Sequence, residues 1–489
     1  MSENTNLRDG VGLRSERGPI LLSLMLATSL VALDSTIIAT ASTSIAKDLG
    51  HFEQLPWLFS IYVLAQAVSV PIYGRLADFF GRKQLMMIGI ALFLVGSILC
   101  GAAWSMPVLI ASRVVQGLGA GAVLPMSMTI ASDIYTLQER AKTQGYLASV
   151  WGISSVVGPT LGGVFSDYVS WRWIFFINIP LSLIAAGMLW RKFTEKRRGE
   201  RTRPRIDYAG AALLTAGTAL VILGLLEGGT AWPWNSATSI TIFAVGAAAL
   251  VAFVFVELKA KHPILPLGVL GRRVIWTSTV AGLLIGAIVL GLSTYVPIYA
   301  QNVLGVSALI AGFALAALTL GWPLTASIAG RFYLRIGFRW TAVIGSSVVV
   351  VGTLLLLTLG TGSNIWLVGV FCFVVGAGMG LTAVPTLIAA QTSVQWQERG
   401  VVTGTNMFAR SIGSAVGVAV FGAVVNANTV VGADGTPHGP QLSGAVHLVF
   451  LAIAVVAAVL FVAVLLMPAR RTEEQAVEIE PTTGATALS

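Results

Sequence analysis

Gly74-Arg75-Leu76-Ala77-Asp78-Phe79-Phe80-Gly81-Arg82-Lys83 is a short charged interruption between two long apolar runs. A weaker copy returns as Gly330-Arg331 through Gly337-Phe338-Arg339, at an offset of 256 residues. The same offset relates Gly89 to Gly345 and Gly96 to Gly352. A second alignment, at offset 259, relates Gly117, Gly119 and Gly121 to Gly376, Gly378 and Gly380. It also carries Gln138-Glu139-Arg140 onto Gln397-Glu398-Arg399, and Gly145, Gly158 and Gly163 onto Gly404, Gly417 and Gly422. Glycines holding one register across two polar loops indicate an internal duplication. Two similar membrane halves are a common plan for secondary transporters.

Composition supports a membrane setting. Hydrophobic residues make up 56% of the chain and charged ones 10%, with a mean hydropathy of +0.84. Soluble domains hold about 25% charged residues, so lipid is the main solvent here. Crossing ~30 Å of hydrocarbon takes about 20 apolar residues as a helix. Fourteen spans meet that rule: 19–42, 56–73, 85–104, 107–130, 143–166, 173–190, 208–226, 237–257, 274–300, 307–328, 340–360, 365–391, 403–425 and 444–467. The first is too long for a signal-peptide core and reads as a retained span.

The net charge of +9 is distributed by side of the membrane. Alternate loops (1–18, 74–84, 131–142, 191–207, 258–273, 329–339, 392–402 and 468–489) hold 26 of the 30 Lys and Arg residues, and the opposite loops only Lys47 and Arg172. That asymmetry predicts a multi-pass protein of the cytoplasmic membrane with both termini in the cytoplasm. The basic run from Arg191 to Arg205 is then a topological anchor, and no nucleic-acid partner is expected.

Six spans occupy only about residues 19–190, too few for a 256-residue repeat, so spans seven and eight are an insertion. The expected fold class is an all-α integral membrane protein with helices arranged 6 + 2 + 6. A tail (1–18) leads into the first half (19–190), then a basic loop (191–207) and two inserted helices (208–257). A linker (258–273), the second half (274–467) and a C-terminal tail (468–489) complete the chain.

Catalytic chemistry is not indicated. Cys100 and Cys372 each lie inside an apolar run, and the four histidines have no ligand spacing, so neither a disulfide framework nor a metal site is expected. Gly117-Leu118-Gly119-Ala120-Gly121-Ala122 fits a dinucleotide fingerprint only superficially, because it lies in a membrane span with no strand before it. With no Gly-Lys dipeptide there is no phosphate-binding P-loop. A transporter without cofactors, driven by an ion gradient, is the expectation, and a membrane-embedded enzyme or sensor is disfavoured.

Four motifs resemble the major facilitator superfamily, and specifically its fourteen-span drug:proton antiporters of the EmrB/QacA type. Leu33-Asp34-Ser35-Thr36-Ile37-Ile38 is similar to that group's L-D-x-T-I-V in the first span. The 74–83 stretch is similar to G-x-L-a-D-r-x-G-r-k, and Arg113-Val114-Val115-Gln116-Gly117-Leu118-Gly119 to R-x-x-q-G-x-g. In span five, Gly152, Gly158-Pro159 and Gly162-Gly163 resemble the exporters' G-x(5)-G-P-x-x-G-G, and Trp171-Arg172-Trp173 through Asn178-Ile179-Pro180 resembles the segment entering span six. The chain departs at Ala39-Thr40-Ala41-Ser42, where the family continues toward N-V-A-L-P, and at Leu334, which replaces Asp78 in the second copy. The resemblance implies a proton-coupled antiporter, working as a monomer by alternating access, that exports small lipophilic and often cationic drugs or toxic metabolites. The alternatives are a uniporter or proton symporter of the same fold, or an exporter of a dedicated endogenous antibiotic, siderophore or lipid.

Individual residues fit roles in such a cycle. Asp34 lies fifteen residues into its span, roughly 22 Å deep, where an ionised carboxylate needs a partner or a cavity. Burial raises a carboxyl pKa and a nearby cation lowers it, so such a group can exchange a proton for a cationic ligand. The bland alternative is a carboxylate that only joins helices. Arg113, ~9 Å inside span four, can reach a similar depth and bias Asp34, with Gln116 one turn further on. Its alternative is a bond to backbone carbonyls.

In the 74–83 stretch, Gly74 and Gly81 are expected to permit a tight turn. Asp78 is placed to accept from Arg82 and from the N-terminus of a neighbouring helix, and Asp133 to extend the cluster into a gate. Gly158 and Gly162 have the spacing for close helix packing, and Pro159 is expected to bend span five. Trp151, Tyr295, Tyr299 and Trp322 are candidate cavity aromatics, against a default of interfacial anchoring. Asn406 and Arg410 share one helical face and either line the cavity or bind interfacial carbonyls. Glu227 reads as a solvated helix end.

Overall fold

The computed structural model describes residues 11–50, 54–195, 207–229, 232–260, 267–428 and 440–469. Most of the basic 191–207 loop, the extreme N-terminus and nearly all of the C-terminal tail lie outside the described residues. The described residues are helical, with a single isolated bridge, Gly228 to Trp232. The first group of helices comprises α1 (Gly18–Leu49), α2 (Leu55–Phe80), α3 (Arg82–Gly101), α4 (Met106–Ile134), α5 (Leu137–Tyr168), α6 (Trp173–Phe176) and α7 (Asn178–Lys192). A pair follows, α8 (Tyr208–Glu227) and α9 (Ala237–Lys259), then the short α10 (Leu267–Leu270). The last group comprises α11 (Arg273–Asn302), α12 (Ala308–Leu356), α13 (Ile365–Thr392), α14 (Arg399–Asn428) and α15 (Pro440–Leu465).

Local chemistry sets the helix starts. Thr136 and Glu139 form a reciprocal capping box at α5. Asp207 accepts from the Gly210 N–H at α8, Ser236 from Ser239 at α9, and Asn364 from Trp366 at α13. Prolines occupy the first turns of α1, α2 and α4, where an amide N–H has no helical partner anyway.

The repeat is written in the backbone. Gly81 takes φ 98° and ψ 149° between α2 and α3, and its counterpart Gly337 takes φ 84° and ψ 165° inside α12. These values are outside the helical region and suit glycine. A straight helix of the 49 residues of α12 would be about 73 Å long, more than twice a hydrocarbon core. It therefore comprises two arms joined at Gly337. Twelve helices among the described residues are long and apolar enough to cross a membrane, with α12 taken as one, and a further apolar helix spans Ala209–Leu225.

The 74–83 stretch is less of a loop than expected. α2 continues to Phe80, so Gly81 alone makes the turn. Gly74 sits inside α2, where a Cβ would come within 2.8 Å of the Gly400 carbonyl oxygen. Its role is close packing against α14, not the turn. A helix with its hydrogen bonds intact is the cheaper backbone at this depth.

Each group has its own apolar core. Leu24, Val31, Phe93, Met126 and Ile130 belong to the first, and Ile288, Val296, Met379, Phe450 and Leu460 to the last. Many large apolar residues point outward, among them Val245, Val251, Phe255, Val370, Leu451 and Val459. So wide an exposed apolar belt suits lipid and not water. The molecule is an integral, multi-pass membrane protein.

The two groups meet along two seams. α5 packs on the first arm of α12, where Ala141 joins Ala326, Ala329 and Tyr333, and the Tyr333 hydroxyl donates to the Leu137 carbonyl. α2 packs on α14 through Gly74, Gly400 and Gly404. The α8–α9 pair lies over this second seam: Leu214 and Phe253 cover Val401, and Ile222 packs on Ala67 and Ala415.

Candidate functional site

The first constellation forms where α1, α2 and α4 converge. Asp34 and Arg113 are each 1% exposed, and Arg113 Nη1 donates to Asp34 Oδ2 at 2.6 Å. Gln116 Nε2 donates to Asp34 Oδ1 at 2.8 Å, and also to Ser97 Oγ at 2.9 Å. Gln116 Oε1 accepts from Arg113 Nη1 at 2.7 Å and from the Cys100 thiol at 3.6 Å. All four positions of this amide are occupied, which fixes its orientation. Arg113 also donates from Nε to the Leu58 carbonyl at 3.1 Å and lies 4.0 Å from the centroid of the Tyr62 ring. The expected carboxylate bond and the alternative carbonyl bond therefore coexist in one side chain.

Helix contact is what permits this approach. A Cβ on Gly96 would come within 2.5 Å of the Gln116 backbone, and one on Gly117 within 2.6 Å of the Tyr62 carbonyl. Sequence reasoning did not single out Tyr62 or Ser97. Neither sits in a charged or glycine-rich pattern, so only the folded chain identifies them.

The second constellation closes the seam between α2 and α14. Asp78, 2% exposed, accepts from Arg82 Nη2 at 2.7 Å. Across the seam its Oδ1 accepts from the Gly400 N–H and its Oδ2 from the Val401 N–H, both at 3.1 Å. Those amides begin α14, so the carboxylate sits at the positive end of that helix. Arg82 Nε lies 3.4 Å from Asp133 Oδ2, and Arg399 Nη1 lies 3.3 Å from Asp133 Oδ1. The Arg82 guanidinium stacks 3.7 Å from the centroid of Trp396 and donates to the Trp396 carbonyl at 2.7 Å. Both cross-seam partners, Arg399 and Trp396, come from the second polar loop.

A further partner was not legible. Glu195 accepts from the backbone N–H of Arg82 at 2.9 Å and of Lys83 at 3.1 Å, capping α3 from beyond the end of α7. In sequence it is one charge in a basic run.

The glycines of α5 divide by environment. Gly152, Gly158 and Gly162 are buried, and Gly163 has open space where a Cβ would stand. Gly158 packs so tightly on α1 that a Cβ would strike Thr36 Oγ1, and Thr36 itself bonds the Ser154 carbonyl at 3.0 Å. Gly152 faces Thr319 of α12 at an ordinary 3.4 Å. α5 continues as helix across Pro159.

Two of the candidate cavity aromatics belong to a core instead. Tyr295 and Tyr299 are 6% and 3% exposed, packed edge-on against Phe421 and Phe450 respectively. The Tyr299 hydroxyl donates to the Gly360 carbonyl at 2.7 Å. Their faces are covered by their own helix group, so neither is presented to a ligand. Trp151 is 37% exposed on α5. Asn406 follows the carbonyl alternative, donating to the Ser278 carbonyl at 2.8 Å, while Arg410 lies 4.5 Å from the centroid of the half-buried Trp322. Glu227 is buried at 3% exposure, not solvated as its place at a helix end suggested.

At the opposite end of the molecule Asp48 accepts from Arg172 Nη1 at 2.7 Å and from Trp171 Nε1 at 3.0 Å. These bonds, Arg172 first, hold the Asp48 carboxyl below the usual carboxylate range.

A buried, charge-paired carboxylate inside one helix group and a charge lock between two groups suit a moving transporter. The family model that matches residues 24–418 is described as Major Facilitator Superfamily. The chain belongs to this superfamily. Two relatives from Bacillus subtilis (strain 168) are similar to it at full-domain scale. "Multidrug resistance protein 3" is 36% identical over 406 residues, covering 83% of this chain and 79% of that protein. "Multidrug transporter protein MdtP" is 35% identical over 419 residues, covering 86% and 77%. Among solved structures, the major facilitator proton:xylose symporter XylE superposes with a TM-score of 0.62 at 14% identity, covering 94% of this chain and 98% of that one. At that identity the likeness is one of fold. A major facilitator protein is a transporter and not an enzyme, and relatives named as multidrug transporters support an exporter.

Proposed function

We propose that this major facilitator protein is a proton-coupled antiporter that exports small lipophilic compounds across the cytoplasmic membrane, of the fourteen-span EmrB/QacA type. Fourteen follows from taking the two arms of α12 separately and admitting α8 as a span beside the twelve long helices. The chain then divides into halves of six, α1–α7 and α11–α15, with α8 and α9 inserted between them. The positive-inside bias of the loops supports a cytoplasmic position for both termini and for the end bearing Asp78.

The observation that carries the reading is the Asp34–Arg113–Gln116 triad. The Asp34 carboxylate, 1% exposed, is paired with Arg113 at 2.6 Å and also accepts from Gln116, so its charge is compensated inside the helix group. Protonation of Asp34 breaks the ion pair, and Arg113 falls back on the Leu58 carbonyl, the Gln116 amide oxygen and the Tyr62 ring. The triad thus has two arrangements differing by one proton. A membrane potential of 100 mV supplies about 2.3 kcal/mol per translocated charge, before any pH term. The Asp78 lock holds the halves shut at the cytoplasmic end and must open when they rock.

The test uses inverted vesicles whose lumen is acidified, with ethidium and the neutral dye Nile red outside. Uptake that needs the pH gradient and is lost in Asp34→Asn is the expected result. Uptake of neither dye under any gradient refutes the exporter, and a variant equal to wild type refutes Asp34 as the proton site.

A further inference from the structure

Arg410 lies on α14 between Asn406 and Ser414, which are each one turn away on the same face. Both neighbours are committed to α11. Asn406 donates to the Ser278 carbonyl at 2.8 Å, and Ser414 Oγ to the Gly286 carbonyl at 3.1 Å. Gly286 in turn lies so close to the Arg410 backbone that a Cβ there would collide with the Arg410 carbonyl. The side chain of Arg410 takes no part in this joint. Among the described residues it donates no hydrogen bond and forms no ion pair.

The charge balance around it is one-sided. No Asp or Glu occurs anywhere in α11, α12, α13, α14 or α15. Across the molecule, Asp34 is occupied by Arg113 and Gln116, while Asp78 and Asp133 are occupied by Arg82, Arg399 and the α14 amides. Arg410 is the twelfth residue of α14, about 16 Å of rise from its start, too deep for an ordinary water-exposed charge. An unpaired cation at that depth is costly and is a mark of function.

Its geometry says what it awaits. The guanidinium carbon lies over the Trp322 ring, 4.5 Å from its centroid, a cation–π contact. That contact uses no N–H group, and the guanidinium N–H groups, which make no hydrogen bond among the described residues, are the donors that grip a carboxylate in pairs. The side chain keeps part of its surface accessible, so these donors can be reached. The indole beside them offers an apolar surface to the body of the same ligand. Asp34, by contrast, already holds a cation at 2.6 Å and presents no free charge to a second one.

We propose that Arg410, backed by Trp322, is an anion-recognition site of the transport path, so that a preferred substrate is an aromatic or lipophilic molecule bearing a carboxylate or similar monoanion. This rests on the exporter reading above and replaces the often cationic drugs that the family resemblance implies with an acidic amphiphile.

Two probes with one ring system and opposite charge test it: anthracene-9-carboxylate and 9-(aminomethyl)anthracene. Binding is measured on the full chain in nanodiscs of phosphatidylcholine, without any gradient. The carboxylate should bind on the order of 10-fold more tightly than the amine, as one charged hydrogen-bonded contact implies. Arg410→Gln should abolish that preference, and Arg410→Lys should keep part of it, because Lys retains charge without the paired donors. Equal or tighter binding of the amine to wild type overturns the proposal, as does a preference that survives Arg410→Gln. The wild-type comparison decides even if Arg410→Gln fails to fold.

In inverted vesicles that move Nile red, the carboxylate should also be taken up. Binding without uptake there would overturn its assignment to the substrate. Vesicles that move no dye at all would count against the exporter reading, while the carboxylate preference in nanodiscs would still establish the anion site.

Discussion

Asp78→Asn separates the lock from the rest of the fold, because asparagine keeps the shape and loses the charge. The bond from Arg82 lies within the N-terminal half and survives opening, so it does not bias the two states. What opening breaks are the two bonds from Gly400 and Val401, one to each carboxylate oxygen. Asparagine has a single oxygen, so one amide faces an NH2 group and loses its acceptor. The other bond loses its charge. A hydrogen bond to a charged group contributes about 1.5–3 kcal/mol, and a carboxylate at a helix N-terminus a further 0.3–1 kcal/mol or so. The closed state should therefore lose about 2–4 kcal/mol, which shifts the open-to-closed ratio by roughly 30- to 1,000-fold.

The assay is electron-electron distance measurement between spin labels at exposed Gln138 and Gln397, in a background lacking Cys100 and Cys372. Wild type should give one short distance and Asp78→Asn a dominant longer one. Gly400→Ala should act in the same direction, since its Cβ would come within 2.5 Å of the Gly74 carbonyl oxygen. A distribution that Asp78→Asn leaves unchanged, in protein that still folds, would refute the lock.

Other expectations follow from the same contacts. Arg113→Leu strands Asp34 without its cation and should cost about 3–5 kcal/mol in denaturant unfolding in detergent, whereas adding Asp34→Asn should restore much of the stability but no gradient-driven transport. Gly158→Ala must displace Thr36 and should cost about 1–3 kcal/mol in the same measurement, while Gly163→Ala, facing open space, should be close to neutral. Glu195→Ala removes the acceptor for two α3 amides and should cost about 0.5–2 kcal/mol, with faster hydrogen exchange at Arg82 and Lys83. The folded pKa of Asp48 is depressed, so its contribution is present above the ordinary value of 3.8 and lost as pH falls through the folded pKa. Asp48→Asn should flatten the acid side of a stability–pH curve, and an unchanged curve would count against the Arg172 bond.

Periodicity and charge placement made the helical membrane class, the duplication and the polarity of the loops legible, because apolar length and loop charge are local properties of a chain in lipid. The same holds for the first constellation: Asp34, Arg113 and Gln116 are conspicuous since each is costly inside a span. Gly337 shows where legibility stopped at half a fact. Its alignment with Gly81 disclosed the repeat, but only the backbone revealed that both take positive φ and turn the chain between two arms.

Other residues were decided by tertiary structure alone. Tyr295 and Trp322 are alike on paper as aromatics in apolar helices, yet one is enclosed by Phe421 and the other lies under Arg410. Gly74 belongs to a helix seam and not a turn, and Glu195 caps a helix from 112 or more residues away. Asn406 and Arg410 share one face, but α11 engages the first and leaves the second unpaired. The sequence by itself determined which groups are expensive in the membrane. Which partner relieves each expense depends on distances of 3–4 Å between helices far apart in the chain, and those are set only when the helices pack.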